Sequence, residues 1–237
     1  MNILPQKVDE LISFFYISLS LIGLAVLAVS TFTSPTFNII FESQRQLAGS
    51  IFAAICLVGI TVGVAPYRCS SLIIFKDHKL DKGKGIPHKF AGHHPTCSSF
   101  TGHVIKFKDK IYCAGCTGLV VGGLAALFGV LPYLFFGFDF GENSIFAFWT
   151  GFIGVACCLL QYQVSDRKNG GVHFFFNMIF PFGALLLLIG VSGIIGNFIL
   201  EAYLLALIVF WVITRITRSS LEHKKICMDC VQPCNYV

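Results

Sequence analysis

"VHFFFNMIFPFGALLLLIGVSGII", from Val172 to Ile195, decides how the chain is read, because it holds no Asp, Glu, Lys or Arg. A helix needs about 20 apolar residues to cross the hydrocarbon of a bilayer, and this run reads as such a crossing. Five more runs read the same way: Leu11–Val29, Leu47–Pro66, Ala114–Phe136, Ile145–Tyr162 and Phe198–Thr214. Lipid offers no partner to backbone amides and carbonyls, so these runs must close their hydrogen bonds internally, as helices. The expected fold is therefore all-α: a polytopic integral membrane protein with about six transmembrane helices. Composition agrees, since 55% of the residues are hydrophobic and only 12% charged, against roughly 25% charged in soluble domains. The first run is read as a retained span rather than a signal peptide. Its flank, Lys7-Val8-Asp9-Glu10, is not basic, and no small-residue cleavage site follows it.

Basic residues set the expected orientation. The segment between the second and third spans carries Arg68, Lys76, Lys79, Lys82, Lys84, Lys89, Lys106, Lys108 and Lys110. Lys7, Arg167, Lys168, Arg215, Arg218, Lys224 and Lys225 fall on the same side of a six-span topology, which places 16 of the 17 Lys and Arg together and leaves only Arg45 opposite. Positive charge is retained in the cytoplasm, so a cell-membrane protein with both termini cytoplasmic is expected. The formal charge of +5 is then topology-setting charge beside anionic headgroups, and no nucleic-acid partner is needed. The chain divides into transmembrane helices at 1–66, a cytoplasmic basic loop at 67–112, four further spans at 113–218 and a cytoplasmic tail at 219–237.

Ten cysteines are distributed unevenly. Cys56, Cys157 and Cys158 fall inside apolar spans and read as small buried hydrophobes, and Cys69 lies at a boundary. The other six form two groups on the cytoplasmic side, each with histidines. The loop holds His93, His94, Cys97, His103, Cys113 and Cys116; the tail holds His223, Cys227, Cys230 and Cys234. Thiols stay reduced in that compartment, which favours metal binding over disulfides. Two cysteines separated by two residues can wrap one ion, and donors from elsewhere complete a tetrahedron. In the loop, Cys113 and Cys116 would join Cys97 and one of His93 or His94. In the tail, His223 and three cysteines already supply four donors. Cys113 and Cys116 open the third span, where the positive helix end favours thiolate. Thiolate with imidazole points to zinc, one or two ions, ahead of iron or an iron–sulfur cluster. A single composite site with the tail beneath the loop is the alternative. A thioredoxin-like role for Cys113 and Cys116 would call for a soluble βαβ setting, which is absent.

His93-His94-Pro95, Ser98-Ser99-Phe100 and Cys113-Ala114-Gly115-Cys116-Thr117-Gly118 together resemble a family of archaeal and bacterial membrane proteins. Its members carry Cys-His-x-x-Pro, Ser-Phe and then Cys-Ala-Arg-Cys-Thr-Gly opening a transmembrane helix. The resemblance covers about 26 residues, His93 to Gly118, and implies a membrane fold without implying an activity. Here His93 stands in the cysteine position, Gly115 in the arginine position, and Cys97 is additional.

Gly118 and Gly122 form a small-xxx-small pair of the kind that lets membrane helices approach closely, and Gly183, Gly190, Gly193 and Gly196 suggest the same for the fifth span. No ionisable residue lies near the middle of any span, which argues against an ion-coupled transporter. Polar residues gather instead around the turn between the fourth and fifth spans: Gln161, Gln163, Asp166, Arg167, Asn169 and His173. His173, with Asn177 one turn on, either caps a helix at the interface or faces the metal loop. Three functions are consistent with the sequence. The first is a structural or accessory subunit of a larger membrane complex, pinned by zinc. The second is a metal-dependent membrane enzyme acting on a lipid or quinone-like substrate, with His103, His173 or Asp166 as base. The third is a copper- or zinc-handling protein. The lipid bilayer is the expected partner of all three, and other membrane subunits that of the first.

Overall fold

A computed structural model describes residues 3–35, 42–64, 90–91, 94–95, 98–108, 110–164 and 169–228, with His94, His223 and Cys227 described in backbone only. The helices are α1 (Ile3–Thr33), α2 (Glu42–Val64), α3 (Ala114–Phe136), α4 (Ser144–Val164), α5 (Gly170–Ile195) and α6 (Phe198–Met228). All six are long and apolar enough to cross a membrane, as expected. The chain is a multi-pass membrane protein of the all-α class.

The ends of the helices follow from local chemistry. Asn169 caps α5 by accepting the Gly171 amide at 3.0 Å, and Cys113 caps α3 through its sulfur. Both α3 and α5 stop at a left-handed glycine, Gly137 (φ 66) and Gly196 (φ 62), a conformation that carries no Cβ penalty for glycine. The Gly137 and Gly196 amides turn back to Pro132 and Ser192 carbonyls. Pro132 and Pro181 lie inside their helices.

α5 is the axis of the bundle. Of its membrane-crossing stretch 67% is buried, against 22% for α2, because it packs on both α3 and α4. Glycines permit that approach. A Cβ on Gly118 would overlap the Phe174 carbonyl, and one on Gly122 the Met178 carbonyl. On the other flank a Cβ on Gly151 would come within 2.6 Å of the Gly183 carbonyl, and one on Gly190 within 2.7 Å of the Phe148 amide. The close packing expected of Gly118, Gly122, Gly183, Gly190 and Gly193 is present, whereas Gly196 ends the helix. α2 packs on the far side of α3, and α1 on α6. The α1–α6 seam is partly polar: Ser20 and Thr214 hydroxyls bond at 3.0 Å, and Trp211 donates to the Ser20 carbonyl at 3.3 Å. Large apolar side chains remain exposed along every helix, as they must on a lipid-facing surface.

Within the region read from sequence as a loop, short strands form. β1 (Phe90–Ala91) pairs antiparallel with β2 (His94–Pro95). A 3-10 turn (Ser98–His103) leads into β3 (Val104–Phe107), which pairs with β4 (Lys110–Cys113) in the register Val104 to Cys113 and Phe107 to Lys110. The tight connection puts Lys108 at φ 52, as two-residue hairpin loops require.

Gly122→Leu drives a branched side chain into backbone that cannot yield, and overpacking of this kind costs about 1–3 kcal/mol. The expected result is a lowered melting temperature in detergent. Gly59→Leu, where a Cβ meets nothing within 4 Å, leaves that temperature unchanged or raises it.

Candidate metal centre

Cys113 ends β4 and caps α3; Cys116 sits one helical turn on. The Cys113 backbone is extended (φ −67, ψ 120), and its sulfur accepts the Cys116 amide at 3.5 Å. The Thr117 hydroxyl bonds the Cys113 carbonyl at 2.8 Å. Both cysteines are thiols, Cys113 buried and Cys116 half-buried. Two sulfurs thus share the first turn of a helix that a strand enters directly.

The strands form a nodule around this turn. β1 runs beside β4, the strand that ends in Cys113, and β1 pairs with the strand that carries His94. The 3-10 turn packs on both α5 and α6, and β3 packs on α5. Gly170 makes the last contact possible, since a Cβ there would overlap the Val104 carbonyl.

His103, from the end of the 3-10 turn, stacks on His173 of α5, with ring centroids 4.6 Å apart and planes 21° apart. Phe100, almost fully buried, meets His103 edge-on at 5.9 Å. His173 thus faces the loop, and helix capping is done by Asn169. In so nearly parallel a stack the in-plane nitrogen lone pairs run side by side instead of converging.

Beneath His173 lies a polar seam that no local pattern reveals. The Asn177 amide donates to the His173 carbonyl at 2.6 Å, and Asn177 lies 3.6 Å from where a Gly115 Cβ would sit. Arg215 of α6 donates to Asn177 Oδ1 at 2.7 Å and to the Cys158 carbonyl at 3.0 Å. Its guanidinium also rests 4.8 Å from the Phe180 ring centre, a cation–π distance. Arg215 is only 8% exposed, and among the described residues no carboxylate pairs with it. It directly follows the apolar run Phe198–Thr214, and α6 continues unbroken past it to Met228. Farther along, Arg218 bonds the Ser13 hydroxyl and Lys225 pairs with Glu10 at 3.8 Å, fastening α6 to α1.

Of the expected ligands, Cys113 and Cys116 are brought together, and His103 is brought to His173. His93, Cys97, Cys230 and Cys234 lie outside the described residues, as do Cys69 and Asp166, and the side chains of His94, His223 and Cys227 are not described. Among the described residues no three His, Cys, Asp or Glu side chains gather within reach of one ion. Cys158 is buried, as expected, and its thiol donates to the Phe176 carbonyl at 3.0 Å. Its neighbour Cys157 instead points out of the bundle and is exposed. Comparison of the chain with protein families, with curated proteins and with solved structures finds no match.

Gly170→Val pushes β3 off the start of α5. Trypsin cleavage after Lys106, Lys108 and Lys110 is expected to accelerate roughly tenfold, since overpacking costs about 1–3 kcal/mol. The helical bundle stays folded by circular dichroism.

Proposed function

We propose that the protein is a membrane-embedded structural or accessory subunit whose nodule and tail face the cytoplasm and are pinned by zinc. The observation that carries the reading is the placement of Cys113 and Cys116 on one turn at the start of α3, with the Cys116 amide on the Cys113 sulfur. Zinc takes cysteines as thiolates, and these two sulfurs open the same helical turn. Two further donors would come from His93, His94 and Cys97, His94 lying on the strand that pairs with β1. Soft sulfur with imidazole suits zinc, and a closed four-ligand site contributes folding energy outright. His223 and Cys227 lie on the last turns of α6 and, with Cys230 and Cys234, would provide a second donor group.

A structural role is supported by how the nodule is fastened. His103 is stacked and buried against α5, Gly170 seats β3, and Arg215 ties α4, α5 and α6 beneath it. These contacts give rigidity and leave the imidazoles little access to a substrate. Other membrane subunits are the partners such a rigid platform would serve.

Elemental analysis of detergent-purified full-length protein tests the proposal. About one zinc per site is expected, lost from the loop site in Cys113→Ser and from a separate tail site in Cys230→Ser. If either substitution alone removes all the zinc, a single composite site is indicated. Wild-type protein purified without stoichiometric metal would overturn the reading.

A further inference from the structure

The end of the bundle remote from the nodule holds a second polar cluster, built from four helices. Glu201 lies in the first turn of α6, its amide bonded to the Asn197 carbonyl at 3.1 Å, and is 1% exposed. Tyr133, near the end of α3, donates to the Ser192 hydroxyl of α5 at 3.1 Å and lies 3.5 Å from Glu201 Oε1. Ser144 opens α4 with its hydroxyl against Gly193, where a Cβ would overlap it. Tyr133, Ser144 and Ser192 are each buried to within 2%.

Two of these oxygens have no hydrogen-bond partner among the described residues: Glu201 Oε2 and Ser144 Oγ. The charged groups nearby are Arg45, which pairs with Glu42 at 3.8 Å, and the exposed Asp139, whose Cβ lies 3.7 Å from where a Gly193 Cβ would be. No basic side chain among the described residues pairs with Glu201.

An acid at a helix start is favoured by the helix dipole, which accounts for a glutamate here but not for buried lone pairs left without a donor. A buried carboxylate needs its charge offset, and buried acceptors left unpaired carry their full desolvation penalty. A proton on Glu201 would meet the first need and leave Ser144 as it is. A cation seated between α4 and the Glu201 carboxylate would meet both needs.

We propose that Glu201, Ser144, Ser192 and Tyr133 bind a small monovalent cation of sodium size. All the donors are oxygens, which suit a hard ion, and a single carboxylate balances a single charge. Towards the nodule the neighbouring turns are closed by Val130, Leu187 and Leu188, each fully buried. The ion therefore enters and leaves at its own end of the bundle and is resident, not in transit.

The test is thermal unfolding of the full-length protein in detergent as sodium replaces choline at constant ionic strength, with direct sodium-22 binding in parallel. Saturating sodium is expected to raise the melting temperature of wild type by about 2–4 °C. Glu201→Gln should abolish both the shift and the binding. Ser144→Ala, which keeps the carboxylate, should weaken both and serves as the deciding variant if Glu201→Gln does not fold. A wild-type protein indifferent to sodium, lithium and potassium but stabilised by acid would overturn the proposal, leaving a carboxyl that carries only a proton. Undiminished sodium dependence in both variants would overturn it equally, placing the ion elsewhere.

Discussion

Backbone contact between α3 and α5 sets the geometry on which the remainder of the molecule rests. Between membrane helices no hydrophobic force favours association, because lipid tails are as apolar as the side chains they would replace. Close van der Waals approach must do the work instead. Gly118 and Gly122 bring α3 against the Phe174 and Met178 carbonyls. The same contact sets the height of the Cys113–Cys116 turn relative to α5, which puts Gly115 over Asn177 and leaves His173 open to the nodule. A larger residue at either glycine would separate the helices and pull the cysteine turn away from its floor.

The two ends of the bundle handle buried polarity in contrasting ways. At the nodule end Arg215 spreads its charge over a carbonyl, an amide oxygen and an aromatic ring, so a guanidinium is tolerated without a carboxylate. At the other end Glu201 is met by neutral hydroxyls. The core between them, with Ala126, Val130, Leu187, Leu188 and Leu204, is apolar and buried. Buried charge is thus placed towards the two ends, while the α1–α6 seam between carries only neutral hydroxyls and an indole.

Much of the fold was legible because lipid enforces a simple code. Apolar runs of sufficient length must be helices, and glycines four residues apart must be a packing face. The missed features share one cause: each depends on a partner distant in sequence. Arg215 resembles the first residue of a tail until Cys158 and Asn177 are seen beside it, which is why α6 was expected to stop at Thr214. Glu201 resembles a helix-end acid until Tyr133 and Ser192 enclose it. His103 and His173 stack across 70 positions of chain, with no periodic pattern linking them. Cys157 and Cys158 are adjacent in sequence, and only the rotation of α4 decides which one faces lipid. The cysteine turn itself was legible, since two sulfurs three apart at a helix start are a local feature.

α6 contains neither glycine nor proline along its 31 residues, so nothing in it invites a kink. At about 1.5 Å per residue it is roughly 46 Å long, well beyond the roughly 30 Å of hydrocarbon in a bilayer. The surplus makes α6 a mast. It carries the backbone of Cys227 to a set height above the lipid headgroups, where a flexible tether would let that residue wander, and any counterpart must meet it at that elevation.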